Sequence, residues 1–516
     1  MSGLISIIIF LPILASIIIL AVLKNDKLIR RFSFGIVTVE LLLTFFAFLS
    51  YDKTKGGIQL VDFVEGWIPI KGFNANYLVG IDGLSAPLVL LSGILGAAAV
   101  WGSWRVTKRV KEYFALLLFL QGVVTGVFVS LDLLLFFIFW EAELIPMYFL
   151  ISIWGSGRAQ YSAAKFVIFT LFAGALLLIG ILVIYLSQGI NSFTMVSIPE
   201  LGITGIPELI SGANLLIPIA VIFWLFFISF AIKLPLWPLH SWLPDAHTDA
   251  PTAVSVILAG VLLKMGGYGI FRISLGFFHN SELNFDFIGP ILVILGAISV
   301  IYGAILTIRQ TDLKRLIAFS SVSHMGYVII GFSSLVNVVS IKDTLALSGA
   351  ALQLFTHGTI TGLAFLLVGL VYDRTHTRNI PDLGGLTNKM PVIAVFFLIA
   401  GFASLGLPGL SGFVAELMIF LGTFQVGNIF AIATVIGVFG VVLAAGYTLW
   451  MIQRSFFGEK PSEKSPISDE FDNLTDIHAF DVLPVLILTI PIFVIGIYPR
   501  FLTDLIELGI WEMFLL

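Results

Sequence analysis

The sequence predicts an all-α polytopic membrane protein, and three observations carry that reading. Of 516 residues, 59% are hydrophobic and 11% charged, against about 25% charged in a soluble domain. Apolar runs of about 20 residues, long enough to cross a bilayer, recur along the chain. The runs are continuous rather than alternating, which excludes a β-barrel.

Taken in order, the runs give about fourteen transmembrane helices, at 3–23, 32–50, 78–103, 113–131, 133–153, 164–186, 214–236, 251–273, 289–308, 315–335, 344–372, 391–427, 428–453 and 481–498. The first run has no positive residue before it, and Lys24, Lys27, Arg30 and Arg31 after it. A retained first helix fits that order better than a cleaved signal. Two runs are broken. One reaches Lys233 and is interrupted by Pro235 and Pro238, with Trp237, His240 and Trp242 following. The other, 391–427, is too long for one straight span and breaks at Leu407-Pro408-Gly409. Within a membrane a broken helix is tolerated only where its backbone is buried in protein or lines a wet cavity. Beside an intramembrane charge it marks an ion path.

Loop charges orient the chain. Loops after odd-numbered spans hold Lys24, Lys27, Arg30 and Arg31, then Arg105, Lys108, Arg109 and Lys111, Arg158, Arg309, Lys314 and Arg315, Arg374, Arg378 and Lys389, and Arg454, Lys460 and Lys464. The opposite side holds only Lys53, Lys55, Lys71, Arg272, Lys342 and Arg500. The positive-inside rule then places both termini outside. The longest polar stretches are 51–77, 187–212 and 457–481, the last expected to be a cytoplasmic connection. The expected organisation is helices 1–3 over residues 1–112, five helices over 113–273, five more over 274–453, and a connection, last helix and tail over 454–516.

Several function classes are excluded. There is no cysteine, hence no disulfide and no cysteine-ligated iron–sulfur cluster. No dinucleotide or Walker glycine motif is present. A net charge of -4 gives no reason to expect nucleic acid. If the chain works in a redox or ATP-driven machine, another chain supplies the energy.

Ionisable residues inside the spans are then functional candidates. Glu40 sits mid-span with no partner apparent in sequence, and reads equally as a locally bonded carboxyl. Glu141 is near the centre of its span, with Lys233 and Lys264 available as partners. Glu143, two residues on, is about 200° round the helix and cannot share its face. Lys233 could snorkel from a helix end, although Pro235 and the continuing Trp237–Trp242 stretch argue for a mid-membrane break. Lys264 is flanked by apolar sequence, and Gly266, Gly267 and Gly269 permit close helix contact. A lysine there can change charge when a carboxylate approaches. His324 and His357 lie in consecutive apolar runs beside Ser and Thr, as bonded core residues or as a proton relay. Glu416 follows the second break. His240, Asp245, His247 and Asp249 follow the first and could line a route for solvent. His279, His376 and His478 fall in loops and are assigned nothing. No spacing suggests a metal site.

The order carboxylate span, broken helix, lysine span is answered later by histidine span, histidine span, broken helix. Each block contains five helices, and an odd-numbered unit repeated in tandem lies inverted relative to its copy. Two inverted five-helix repeats, each with one broken helix, are therefore expected, with Lys233 and Glu416 near equivalent places.

Five stretches carry a resemblance: 80–85 (GIDGLS), 139–149 (FWEAELIPMYF), 233–247 (KLPLWPLHSWLPDAH), 312–326 (DLKRLIAFSSVSHMG) and 406–413 (GLPGLSGF). With them the chain resembles the antiporter-like subunits of respiratory complex I, the proton-translocating NADH-quinone oxidoreductase, from the third span to the twelfth. No long lateral helix follows the last span, which sets it apart from the L type. The resemblance implies a subunit of the bacterial inner membrane with no redox centre of its own. It would pump protons while FMN, iron–sulfur clusters and quinone are held by other subunits, and its partners would be other membrane-arm subunits, including the L and N types. It implies that Glu141 and Lys233 form a charge-coupled pair, that Lys264 is the central proton carrier, that His324 and His357 continue the axis, and that Glu416 faces the exit half. Glu143 departs from the pattern. The competing readings are a subunit of a multisubunit sodium/proton antiporter, which shares the core motifs, and a membrane scaffold with a vestigial path.

Overall fold

The computed structural model describes residues 3–70, 73–338, 340–461 and 465–515. Lys71 and Lys464, counted among the loop charges, lie outside the described residues. Among those described, twelve helices are long and apolar enough to cross a membrane, and three shorter apolar helices accompany them, Ile219–Lys233, Pro391–Ser404 and Ser411–Val426.

Burial sorts the helices into a centre and a rim. In the best apolar windows of Thr252–Leu275 and Leu313–Val336 every residue is buried, against 33% in Asp26–Ser50 and Ala479–Ile497. A lipid-facing helix can stay apolar all round because lipid tails are as apolar as leucine. Hydropathy therefore finds the spans without saying which face packs inward.

Both interruptions fall where the proline and glycine chemistry places them. The first helix ends at Lys233 and the chain resumes helix at Trp242–Asp249. The Trp242 indole donates to the Ile232 carbonyl at 2.9 Å, satisfying a group that the break would orphan. The second ends at Ser404 and resumes at Ser411. Gly406 and Gly409 take φ of +75° and +91° there, a region open to glycine at little cost.

Two helices start with the same clasp. Asp132 caps Leu133–Ala142 by accepting from the Leu134 and Leu135 amides at 3.0 and 3.1 Å. Around it the Leu133 amide donates to the Phe193 carbonyl (2.7 Å), and Met195 to Leu131 (2.8 Å). Asp312 caps Leu313–Phe332 by accepting from the Arg315 amide at 3.0 Å. The Leu313 amide donates to the Arg378 carbonyl (3.0 Å), and Ile380 to Thr311 (2.7 Å). In both, one isolated antiparallel bridge holds the capping aspartate, to Thr194 and to Asn379 respectively.

Three features were not expected. Residues 51–77, read as a polar loop, contribute a strand, Gln59–Val64, that pairs antiparallel with Tyr77–Ile81. The tail folds as the helix Arg500–Phe514, which buries Leu502, Leu505, Ile506 and Ile510. The helix carrying Lys264 has two wide π segments, Leu258–Leu262 and Ile270–Leu275. Such segments recur at functional sites because each frees backbone groups from the regular ladder.

Candidate functional site: a line of buried charges

The helix that starts at Asp132 reaches the membrane interior as two segments, Leu133–Ala142 and Leu144–Trp154, joined at Glu143. Its buried stripe runs through Phe136, Trp140, Glu143, Met147 and Leu150, and its open stripe through Ile138, Glu141, Ile145 and Tyr148. The carboxylate that meets Lys233 is therefore Glu143. Their side chains form an ion pair with no exposed surface on either, and the Lys233 ammonium also lies 4.5 Å from the Trp140 ring centroid, a cation–π contact. The direct contact of Lys233 is thus to Glu143 and not to the expected Glu141, although the Glu141 and Lys233 charges still act on each other. Glu141 is half-buried on the other stripe, against Gly174 of the helix Ala159–Leu186.

Lys233 does not snorkel, since it is fully buried. Its place about the break differs from that of Glu416. Lys233 is the last residue before its break, whereas Glu416 lies within the segment after the other break, Ser411–Val426. The last residue before the second break is Ser404.

Lys264 is fully buried at the centre. Its helix lies against the first broken helix, where a Cβ on Gly266 would sit 2.7 Å from the Phe230 carbonyl oxygen and the Leu234 nitrogen. The glycines thus do permit close approach. The π segment before Lys264 frees the Ala259 carbonyl, which accepts from the lysine nitrogen. That nitrogen also lies 2.8 Å from His357 Nδ1. One member of such a pair must offer a lone pair, so the contact holds a proton that either group can carry.

His357 continues to His324, ring centroids 5.5 Å apart. Both His324 nitrogens face carbonyl oxygens, Nδ1 towards Ser320 (2.7 Å) and Nε2 towards Ser404 at the lip of the second break (2.9 Å). Two acceptors suit a ring carrying two N–H donors, so the site has a place for an extra proton. Glu416 stands 3.9 Å from His324 Nε2 and is 5% exposed.

The residues after the first break do not share one surface. Asp245 pairs with Lys165 (2.8 Å) and lies 3.6 Å from Arg315. Asp249 accepts from the Ser162 hydroxyl at 2.6 Å. His240 packs edge-on to Tyr302. His247 is fully buried and stacked on Phe365, centroids 4.5 Å apart.

Sequence reasoning missed two groups. Glu40 has a partner after all, Gln121, whose amide donates to it at 3.0 Å. At the end of the lysine helix Arg272 pairs with Asp82 in the buried interior. Burial works against the Asp82 carboxylate, but the Arg272 charge and the Ser85 amide hold it below its ordinary range. Arg272 counted only as a loop charge, because nothing near it in sequence is acidic.

Known proteins resemble the chain over this region and beyond it. The family model described as NADH:quinone oxidoreductase/Mrp antiporter, transmembrane, matches residues 130–444, the stretch from the Asp132 clasp past the second break. NADH-quinone oxidoreductase subunit M of Rhodobacter capsulatus is 38% identical, over 98% of this chain and 95% of its own. The chloroplastic NAD(P)H-quinone oxidoreductase chain 4 of Mesostigma viride is 38% identical, over 97% of this chain and 94% of its own. A chain of respiratory complex I from Thermus thermophilus superposes with a TM-score of 0.83 at 27% identity, over 99% of both chains. A chain of the Mrp complex from Dietzia shares the fold, at TM-score 0.80 and 20% identity, over 100% of this chain and 98% of its own. This chain belongs to the transmembrane family shared by NADH:quinone oxidoreductase and the Mrp antiporters, and is of the subunit M or chain 4 kind.

Proposed function

We propose that the chain is a proton-pumping membrane subunit of an NADH-quinone oxidoreductase, driven by redox chemistry in other subunits. The observation that carries this reading is the line of buried titratable groups, Glu143 with Lys233, then Lys264, His357, His324 and Glu416. A static core has no use for six ionisable groups in low dielectric, because each is costly to desolvate. Lys264 takes a proton and shares it with His357. His324 accepts it between the Ser320 and Ser404 carbonyls and passes it towards Glu416. The Glu143–Lys233 pair sets the field at Lys264. While the pair is closed its charges cancel. When it opens, the freed Lys233 charge disfavours a second charge on Lys264 and pushes its proton onward.

The architecture for this is two inverted five-helix units, residues 113–273 and 274–453, whose interrupted helices bring the count to fourteen. The paired clasps at Asp132 and Asp312 support the repeat. The basic loops support an orientation in a bacterial inner membrane with both termini on the outer side. Neighbouring membrane-arm subunits, of L and N types, flank the chain, and FMN, iron–sulfur clusters and quinone reside in other subunits.

Purification of the native complex from its own membranes tests this. Expected are co-purifying NADH-oxidising and quinone-reacting chains, and NADH-driven proton uptake by reconstituted vesicles. Sodium/proton exchange without NADH would establish the antiporter reading instead.

A further inference from the structure

The lysine helix carries a second polar line that the pumping route does not use. Tyr268 and Arg272 follow Lys264 at intervals of four residues, so about 6 Å of helix separates each from the next. All three are buried. Arg272 Nε donates to the Tyr268 hydroxyl at 3.3 Å, and the guanidinium lies 5.5 Å from the Tyr268 ring centroid. Its other end is held by Asp82. Asp82 Oδ1 is in turn fixed by the amides of Leu84 (3.1 Å) and Ser85 (2.8 Å). Against this pair lies a cavity of about 760 Å³, on the side opposite the basic loops. Asp82 and Arg272 form part of its wall, and Lys55, Glu200, Glu208 and Asn280 stand exposed at its rim. Water takes about 30 Å³ per molecule, so the cavity is roomy and polar enough to be wet. Solvent thus comes to within about 12 Å of helix, two turns, of Lys264.

A wet cavity this close to a proton carrier needs a barrier, or protons would run back along Tyr268. Passing a proton along a line of hydrogen bonds takes groups that both accept and donate. A tyrosine hydroxyl does both, whereas a guanidinium only donates and keeps its proton. Its charge also repels an incoming cation. We propose that Arg272, held in place by Asp82, is the seal between this cavity and Lys264, letting water reach it and stopping protons there. The inference rests on the proposed reading of Lys264 as a proton carrier.

The test uses the whole complex. The chain has no cysteine, so one introduced thiol is its sole target for a charged methanethiosulfonate reagent. In solubilised complex, Met513→Cys in the cavity wall should react roughly a hundredfold or more faster than Tyr268→Cys, just behind the guanidinium. Equal rates, whether fast or slow, overturn the proposal, since either water passes the pair or the cavity is dry. Making the pair neutral, Arg272→Gln with Asp82→Asn, should raise the Tyr268→Cys rate roughly tenfold or more. With Tyr268 intact, vesicles carrying the same pair variant should hold a proton gradient roughly threefold or more smaller per NADH oxidised. A full gradient in assembled pair variant overturns the proposal. Should that variant fail to assemble, the comparison of Met513→Cys with Tyr268→Cys decides alone. Labelling needs no NADH, so wild-type complex that fails to pump removes the proposed function and leaves that comparison standing.

Discussion

Helix Ile219–Lys233 ends on a cation that meets a carboxylate, and helix Pro391–Ser404 ends on a carbonyl that meets an imidazole. In each case the partner comes from the helix that follows a capping aspartate, Asp132 or Asp312. Each break has a capped helix beside it, and the chemistry at the break differs. The first half stores a closed ion pair whose charge is fixed until the pair opens. The second half offers an acceptor-lined histidine with Glu416 nearby, which is built to gain and lose a proton. Under the proposed function this is a division of labour, in which the first half sets the field and the second half moves the proton.

In the proposed function Lys264 hands its proton to His357, 2.8 Å away, so its loss should have the largest effect. Lys264→Ala should remove NADH-driven proton uptake by at least roughly a hundredfold, about 2.7 kcal/mol, in complex that assembles normally on native gels. Lys264→Arg should be nearly as poor, because arginine holds its proton. Wild-type uptake in either would break the comparison at its centre.

A smaller loss is expected from Glu416→Gln, roughly tenfold, about 1.4 kcal/mol. His324 retains its two carbonyl acceptors in that variant, so the second half still takes up a proton and only its release is slowed. A loss equal to that of Lys264→Ala would mean that Glu416, and not His324, is the main carrier there.

The two clasps allow a sharper comparison. Asp132→Ala and Asp312→Ala should each cost about 1 kcal/mol of stability through loss of a helix cap, read as similar falls in the unfolding temperature of the solubilised complex. Markedly unequal falls would argue against equivalent units. Asp132→Asn should keep the cap through its one oxygen, lose the bond from the Asn76 amide (3.1 Å) and change the pH response. Burial pushes the Asp132 carboxyl up from 3.8 to about 6, against the pull of the Asn76, Leu135 and Leu134 amides. A raised carboxyl binds its proton more tightly when folded, so its contribution is full below its ordinary value and is lost as pH climbs through about 6. The asparagine variant should lack that decline. An unchanged decline would place its source elsewhere.

The sequence revealed the spans, both breaks, the close approach at Gly266 and the candidate ionisable residues, because an apolar run and an intramembrane charge are local signals. It could not choose between Glu141 and Glu143. In a membrane both stripes of that helix are apolar, so periodicity does not separate core from rim. A fuller count would have helped, since Phe136, Trp140, Glu143 and Met147 recur at three- and four-residue spacing with the bulkiest side chains. The π segments beside Lys264, the Asp82–Arg272 pair and the tail helix depend on contacts between distant parts of the chain, which no local pattern reports. The inequality of Lys233 and Glu416 about their breaks was readable, because Lys233 precedes its prolines and Glu416 follows Pro408.

Glu143 and Lys233 are proposed to act as one unit that gates Lys264. The direct measurement is NADH-driven proton uptake in vesicles for Glu143→Gln, Lys233→Gln and the double variant, each corrected for assembled complex. Both single variants should lose roughly tenfold or more, and the double variant little beyond either, as residues acting as a unit do. Uptake at the wild-type rate in Glu143→Gln, or losses that multiply in the double variant, would contradict it.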